Sequence, residues 1–468
     1  MAETAFVLTL PQALLPITDA LIKEGYRPIV VGGYVRDRLL GSSSKDIDIE
    51  VFGVENLSIL EQILTPFGEV NSVGKSFGVL KLSREDLDVD ISLPRLEKKT
   101  GSGHRGFDVT TDASLSFKEA ALRRDFTINA MGYDIKEKQL LDPYHGQDDL
   151  NNALLRVVNA HSFVEDPLRL YRAMQFTARF ELQLSDELVT LANTMVQEGM
   201  LNELPKERIF EEFKKLFLKS KKPSIGLSAL VTLGILKQFD ELQALIGVPQ
   251  DPIYHPEGDV WTHTLMVVDA VTKLHTDDAR LNLQRSLSAL CHDLGKANTT
   301  EVIDGRIRAI GHEVSGVALS ESFLLQLTEE KELIENILSL VKNHLAPLQF
   351  YKQGAKSPAI RRLAKRVNIA ELIILAEADF LGRTTSEAQS GHFEAGIWLK
   401  AQADRLNVTH KPQAALLQGR DLMKFGMKPS KKFGLILEDA YEAQMDDVFG
   451  NFEEALLWLK KRLEDELT

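Results

Sequence analysis

Apolar and polar positions change period about a third of the way along the chain. Residues 28–31 form a short apolar run that reads as a strand. Gly32-Gly33 follows, then a helical pattern over 36–40 that Gly41 stops. Residues 47–52 alternate charged with apolar side chains, the period of a half-buried strand. Residues 57–64 read as a helix. Residues 77–82 and 87–91 read as strands, the second setting Asp88 and Asp90 against Val89 and Ile91. Residues 98–116, rich in Gly, Ser, Thr and Asp, read as a mobile loop. Strands at 131–135 and 139–141 close an α+β segment of about 150 residues. Beyond Leu150 strand signals fade, and from Asp166 the pattern is almost wholly helical, with breaks near Pro205, Pro223 and 249–256. The predicted division is therefore an α+β head over 1–150, a helical neck over 151–245, a helical domain over 246–385 and a helical tail over 386–468.

Composition narrows the class. With 468 residues, 44% hydrophobic and 26% charged, the chain can build several cores without disulfide or metal staples. Disordered, collagenous and coiled-coil classes are excluded. One cysteine, Cys291, rules out an internal disulfide framework and fits a reducing cytoplasm. The apolar stretch over 5–18 carries Pro11 and Pro16 and no preceding basic cluster, so it does not read as a secretory signal. No run approaches the ~20 apolar residues that cross a bilayer, and a cytoplasmic protein with no membrane partner is expected.

The charge balance, 55 Lys+Arg against 68 Asp+Glu for a net −13, argues at first sight against nucleic acid. Binding, however, depends on local patches rather than on the sum. Lys214, Lys215, Lys219, Lys221 and Lys222 form one basic cluster, Arg361, Arg362, Lys365 and Arg366 a second, and Lys428, Lys431 and Lys432 a third. Each alone reads more readily as a solvated face than as a binding site; as a set on helices they could grip an RNA by its phosphates.

Two constellations carry chemistry. In the first, Gly32-Gly33 lies between strand and helix, where glycine admits a bulky anion and a helix N-terminus offers N–H groups to phosphate. Alone it serves any tight turn. Asp46 and Asp48 follow, i and i+2 and so on one face of a strand, where two carboxylates repel unless a cation such as Mg²⁺ sits between them. Asp90, on another strand, can supply a third carboxylate.

Gly32-Gly33-x-x-Arg36-Asp37 with Asp46-x-Asp48 resembles the signature of the polymerase-β-like nucleotidyltransferases. Residues 123–131, Arg-Arg-Asp-Phe-Thr-Ile-Asn-Ala-Met, resemble the second motif of class II tRNA nucleotidyltransferases, or CCA-adding enzymes, and of the related bacterial poly(A) polymerases. Asp142-Pro143 with Gly146 and Asp149-Leu150 is similar to their third motif. Glu165-Asp166-Pro167-Leu168-Arg169, with Arg172, Ala173 and Phe176, is similar to the fourth. Glu207-Arg208 with Glu212 and Lys215 is similar to the fifth. The resemblance covers residues 28–220 in family order.

It implies that Asp46 and Asp48 bind Mg²⁺, with Asp90 standing where the family usually has a glutamate. It implies that Asp166 and Arg169, i and i+3 and so neighbours on one helix face, read the base edges of CTP and ATP, the carboxylate rejecting uracil and guanine by facing an acceptor with an acceptor. Gly32, Gly33, Arg36, Arg123, Asn129 and Arg172 join the nucleotide site. Lys214, Lys215 and Lys219 would grip tRNA by its phosphates. The segment at 98–116 corresponds to a loop that assists the switch to ATP. The implied activity is untemplated CCA addition to tRNA. An A-adding enzyme or poly(A) polymerase is the alternative.

The second constellation lies where six of the chain's 11 histidines fall, between residues 250 and 350. His263, His292-Asp293 and Asp379 follow the order H…HD…D, a nitrogen and carboxylate set suited to a divalent metal. They resemble the HD superfamily of metal-dependent phosphohydrolases, implying phosphatase or 2′,3′-cyclic phosphodiesterase activity. His312 and His344 could add second-metal or phosphate contacts. A further alternative is an HD phosphohydrolase whose nucleotidyltransferase part only binds RNA.

Overall fold

The computed structural model describes residues 6–42, 46–71, 78–84, 87–99 and 107–464. They form two compact units, residues 1–238 and 239–468.

The first unit is built on strands β1 (Arg27–Val31), β2 (Ile47–Phe52), β3 (Glu69–Asn71), β4 (Val79–Arg84), β5 (Leu87–Ser92), β6 (Arg95–Lys99), β7 (Phe107–Thr111), β8 (Gly132–Asp134) and β9 (Gln139–Leu141). Seven make one sheet in the order β3-β4-β5-β2-β1-β8-β9, antiparallel throughout except for the parallel pair β2 and β5. The alternation read in the sequence decides the faces. Ile47, Ile49 and Val51 of β2 and Val89 and Ile91 of β5 enter one core with Leu14, Ile17 and Leu21, and with Leu60 and Leu64 of the helix Leu57–Leu64. Asp48, Glu50 and Asp90 are thereby committed to the other face. β1 is apolar on both sides: Val30 joins that core, whereas Ile29 and Val31 pack with Phe117 and Ala121.

The reading of 98–116 as a loop is corrected. β6 and β7 pair antiparallel from Arg95↔Thr111 to Lys99↔Phe107 as a separate two-stranded ribbon. The Gly, Ser, Thr and Asp residues that join and follow the two short strands dominate the segment, so composition alone mistakes it for loop. Residues 100–106 lie outside the described residues, as does the start of the strand predicted at 77–82. Helices follow, notably Leu168–Phe180 and Lys206–Lys219, with β10 (Leu154–Leu155) and β11 (Gln183–Leu184) a two-residue parallel pair.

The second unit is helical. Val260–Thr272, Ala279–Cys291 and Ile369–Leu381 start on Asp259, Asp278 and Asn368, whose side chains accept from backbone N–H groups of the first turn. One hairpin interrupts it: β12 (Thr300–Ile303) and β13 (Arg306–Ala309) meet across Asp304-Gly305, both at positive φ. Asp-Gly is the sequence signature of that turn. No described helix is long and apolar enough to cross a membrane.

Candidate active sites

The first site is a cleft of about 600 Å³ in the first unit. β2 and β5 run parallel with Asp48 and Asp90 in register, so their side chains are neighbours on one face. Asp46, two residues before Asp48, lines the cleft with it. Enclosure raises the Asp48 carboxyl above its ordinary value; Arg124 opposes this, and Asp90, Asp46 and Glu50 add to it. Asp48 is thus repelled from both sides, by Asp46 and by Asp90, a repulsion that a divalent cation would relieve.

Arginines line the rest. Glu50, next on that face and 1% exposed, pairs with both Arg123 and Arg124. The Arg124 Nη1 donates to the Asn129 carbonyl at 3.3 Å. Gly32 has φ +69°, and a Cβ there would lie 2.8 Å from Arg124 Nη1, so its lack of a side chain lets the guanidinium lie against the turn. Arg36, Asn129, Asp125 and Arg172 form a chain: Arg36 Nη1 donates to Asn129 Oδ1, Asn129 Nδ2 to Asp125 Oδ1 at 3.0 Å, and Arg172 Nε to Asp125 Oδ2 at 2.7 Å. Burial pushes Asp125 up, but Arg172 and the Asn129 amide overrule it and hold it below the carboxylate range.

Three expectations change. Arg36 is 4% exposed, bound to Asp37 at 2.6 Å and set over the Phe180 ring at 4.4 Å, so it positions Asn129 from beneath. Asp166 is not on a helix face with Arg169: the helix begins at Leu168, and Asp166 Oδ1 accepts from the Leu168 N–H at 3.2 Å. Pro167 ends the preceding segment and makes the aspartate a cap. Asp166 instead faces Arg208 at 3.3 Å, while Arg169 donates to the carbonyls of Ser162 and Arg123, each at 2.7 Å. Both still line the cleft. Of the three lysines, Lys215 and Lys219 line it, Lys215 with Glu212 at 2.8 Å; Lys214 lies over Phe210 and pairs with Glu211. The second basic cluster is neutralised within its own unit, Arg362 by Glu442 and Asp446 and Arg361 by Asp447.

The second site gathers His263, His292, Asp293, Asp379, His312 and His344, all buried. Ring atoms of His263 and His292 and a carboxylate oxygen of Asp379 lie within 4.8 Å of one another, as do those of Asp293, His312 and His344. Three histidines share one device. The Nδ1 of His292, His312 and His344 donates to the carbonyl three residues earlier, at 2.7, 2.7 and 2.6 Å. A carbonyl only accepts, so Nδ1 carries the proton and, in the neutral ring, Nε2 keeps its lone pair for a ligand. The Nε2 atoms of His312 and His344 stand 3.2 Å apart.

Asp293 sits between the groups, Oδ2 3.1 Å from His292 and Oδ1 3.2 Å from His312. His292 Nε2 is buried without a hydrogen bond. An orphaned buried ring nitrogen, and facing imidazoles, are what a cation would satisfy. Burial opposes charge on Asp293, but His292 and Lys296 hold it well below the carboxylate range, and Arg383 does the same for Asp379. Burial with His312 and His292 nearby pushes His344 down to about 3.

Gly295 is what permits this convergence. A Cβ there would lie 2.1 Å from the His312 carbonyl oxygen and 2.6 Å from the Gly316 nitrogen. Lys296 is committed to Asp293 Oδ2 at 2.6 Å and Gln250 Oε1 at 2.8 Å.

Two further residues organise the sites. Glu50 continues the Asp46-x-Asp48 alternation and is legible from it. Glu257, its side chain 1% exposed, brings Oε1 within 2.9 Å of Nδ1 of both His255 and His263, while Oε2 accepts from the Thr384 N–H at 3.1 Å. Nothing in its local sequence marks it.

Sheet, acidic face and arginine-lined cleft define a nucleotidyltransferase head, and the histidine and aspartate cluster an HD-type metal centre. Residues 29–156 match the Poly A polymerase head domain, 187–245 the probable RNA and SrmB- binding site of polymerase A, and 260–383 the HD domain. A multifunctional CCA protein of Methylobacillus flagellatus is 35% identical over 376 residues, 78% of this chain and 86% of that one. One of Vibrio parahaemolyticus is 35% identical over 384 residues, 80% and 89% of the two chains. The chain belongs to the family of multifunctional CCA proteins. Its fold is that of CCA-adding enzymes: a solved complex with CTP has a TM-score of 0.63 at 23% identity, covering 97% of this chain and 96% of that one. The Thermotoga maritima enzyme complexed with tRNA has a TM-score of 0.58 at 20% identity, with the same coverage.

Proposed function

We propose that the protein adds CCA to the 3′ end of tRNA from CTP and ATP without a template, and that its HD unit is a separate metal-dependent phosphohydrolase. The observation that supports this reading is Asp46 and Asp48 in an arginine-lined cleft, with Asp90 in register beside Asp48, in a chain 35% identical to multifunctional CCA proteins over most of its length.

Asp46, Asp48 and Asp90 would hold Mg²⁺, which when bound activates the tRNA 3′ hydroxyl and stabilises the leaving pyrophosphate. Arg123 and Arg124, kept in place by Glu50, meet the triphosphate over the Gly32-Gly33 turn. Asn129 and Arg172 are fixed by Asp125 toward sugar and phosphate. Asp166 and Arg169 face the base edge from the start of the helix Leu168–Phe180. Lys215 and Lys219, at the rim, meet RNA phosphates. In the HD unit His263, His292, Asp293 and Asp379, with His312 and His344, would hold one or two divalent ions, which when bound supply an activated water for hydrolysis of a phosphoester. The head, neck, HD and tail boundaries of the sequence reading stand as proposed domains, and the cytoplasm, where tRNA is processed, as the proposed location.

The test separates the two sites. Asp48→Ala should reduce nucleotide incorporation at least about 100-fold, the scale of losing one main stabiliser of developing charge, and leave phosphoester hydrolysis intact. Asp293→Ala should do the reverse. Loss of both activities in either single variant would overturn the assignment.

A further inference from the structure

The HD cavity holds more than a metal centre. It has a volume of about 270 Å³ and opens between two elements that take no part in metal binding. One is the turn after Asp251. Its Oδ1 accepts from the Ile253 N–H at 3.0 Å, and its carbonyl accepts from the N–H groups of Tyr254 at 3.0 Å and His255 at 2.9 Å. The turn is therefore internally braced, yet Tyr254 is 51% exposed while lining the cavity. The other element is β13. Arg306 pairs with Asp251 at 3.4 Å and sits over the Tyr254 ring at 5.9 Å, so hairpin and turn are tied together at the mouth. Arg308, two residues on and so on the same face of the strand, also lines the cavity. It is exposed, and among the described residues no carboxylate pairs with it.

The cations deeper in the cavity are already engaged: Lys296 holds Asp293, and Arg383 holds both oxygens of Asp379 at 2.8 Å. Arg308 is thus the guanidinium left to meet an anionic substrate. Tyr254, with Arg306 over its ring but half its surface exposed, lines the same cavity, and an aromatic ring with a guanidinium is the pairing that recognises a nucleotide, base on ring and phosphate on guanidinium. The volume lies at the low end of small-molecule pockets, roughly 300 Å³ upward, and admits one nucleotide rather than a duplex.

We infer that Tyr254 and Arg308 form a nucleotide-recognising mouth for the HD site, Tyr254 stacking on the base and Arg308 binding the phosphate, so that the site takes a single terminal nucleotide carrying a phosphoester. This rests on the phosphohydrolase reading of the HD unit. It selects for a base, which a bare metal centre would not.

The test uses the full-length protein with Mg²⁺, Mn²⁺ or Zn²⁺ supplied in turn. Substrates are adenosine 2′,3′-cyclic phosphate and glycerol 1,2-cyclic phosphate, the same five-membered phosphodiester without a base. The wild type should prefer the nucleotide at least about 10-fold in kcat/KM. Tyr254→Ala should raise KM for the nucleotide about 10-fold, leave kcat and the glycerol ester unchanged, and abolish the preference; Tyr254→Phe should retain it. Arg308→Ala should raise KM for both esters, with Arg308→Lys partly restoring it. Both alanine variants should keep the wild-type kcat on both esters, which shows that the HD unit folds. Equal use of the two esters by the wild type, or an unchanged nucleotide KM in Tyr254→Ala, would overturn this inference alone. Hydrolysis of neither ester with any of the metals would overturn the phosphohydrolase reading and the inference with it.

Discussion

Asp125 and Glu257 show how single buried carboxylates organise each site without touching the reacting atoms. Asp125 is 7% exposed and joins Arg172 to Asn129. Its carboxyl is held below the ordinary range in the folded chain, so the stability it contributes is fully present above the unfolded value of ~3.9 and is lost as pH falls through the lower folded value. Unfolding of the first unit followed between pH 5 and pH 3 should show stability falling with pH. Asp125→Asn, which strands Arg172, should cost about 3 kcal/mol at neutral pH and flatten that dependence. An unaltered slope would contradict the pairing. Glu257 acts on His263 through Nδ1, fixing the ring with Nε2 toward Asp379, 3.1 Å away. Glu257→Gln should weaken metal binding to the HD unit about 10-fold or more, the usual cost of losing an outer partner of a ligand, as read by metal content after dialysis against a chelator. Undiminished metal retention would show that Glu257 only supports the fold.

Among elements, what was legible in the sequence depended on whether one period ruled. β2 and β5 alternate strictly, so the acid-bearing face was readable residue by residue, including the register-ready pair Asp48 and Asp90. The helix Leu57–Leu64 matches its predicted range because apolar spacing and the Asn56 cap agree. The ribbon β6–β7 was hidden by the Gly, Ser, Thr and Asp residues around its two short strands, and the helix start at Leu168 because Pro167 converts a predicted i, i+3 pair into a cap and a side chain beyond it. The hairpin β12–β13 carries an explicit Asp-Gly signal, overridden by the helical pattern on either side. The histidine positions were legible, but not their convergence, which depends on the close approach of Gly295 to the start of the helix His312–Leu325. Gly295→Ala forces backbone against backbone, with nothing flexible to yield. HD-unit hydrolysis should fall at least about 100-fold while nucleotide incorporation holds. Retained hydrolysis would mean that the two ligand groups do not need to meet.

At the scale of the whole molecule, the net charge of −13 no longer opposes a nucleic-acid partner. Acid is partly taken up in pairs such as Arg362 with Glu442 and Asp446, whereas the cleft of the first unit is lined by Arg95, Arg123, Arg124, Arg172, Arg179 and Arg208. tRNA binding should therefore be tolerant of sequence and sensitive to salt. Lys215→Ala combined with Lys219→Ala should lower the slope of log affinity against log salt by roughly 2, about one for each phosphate left without its lysine. An unchanged slope would put the RNA elsewhere.

The most direct test of the central claim supplies the purified protein with three tRNAs, one lacking the whole CCA end, one lacking only the final A and one complete, each with CTP, ATP or both, and sequences the 3′ ends. The account predicts C-C-A on the first with both nucleotides, C-C with CTP alone, a single A on the second, and no extension of the third. Addition of A alone, an extended A tail on the complete tRNA, or no incorporation on any substrate would contradict it.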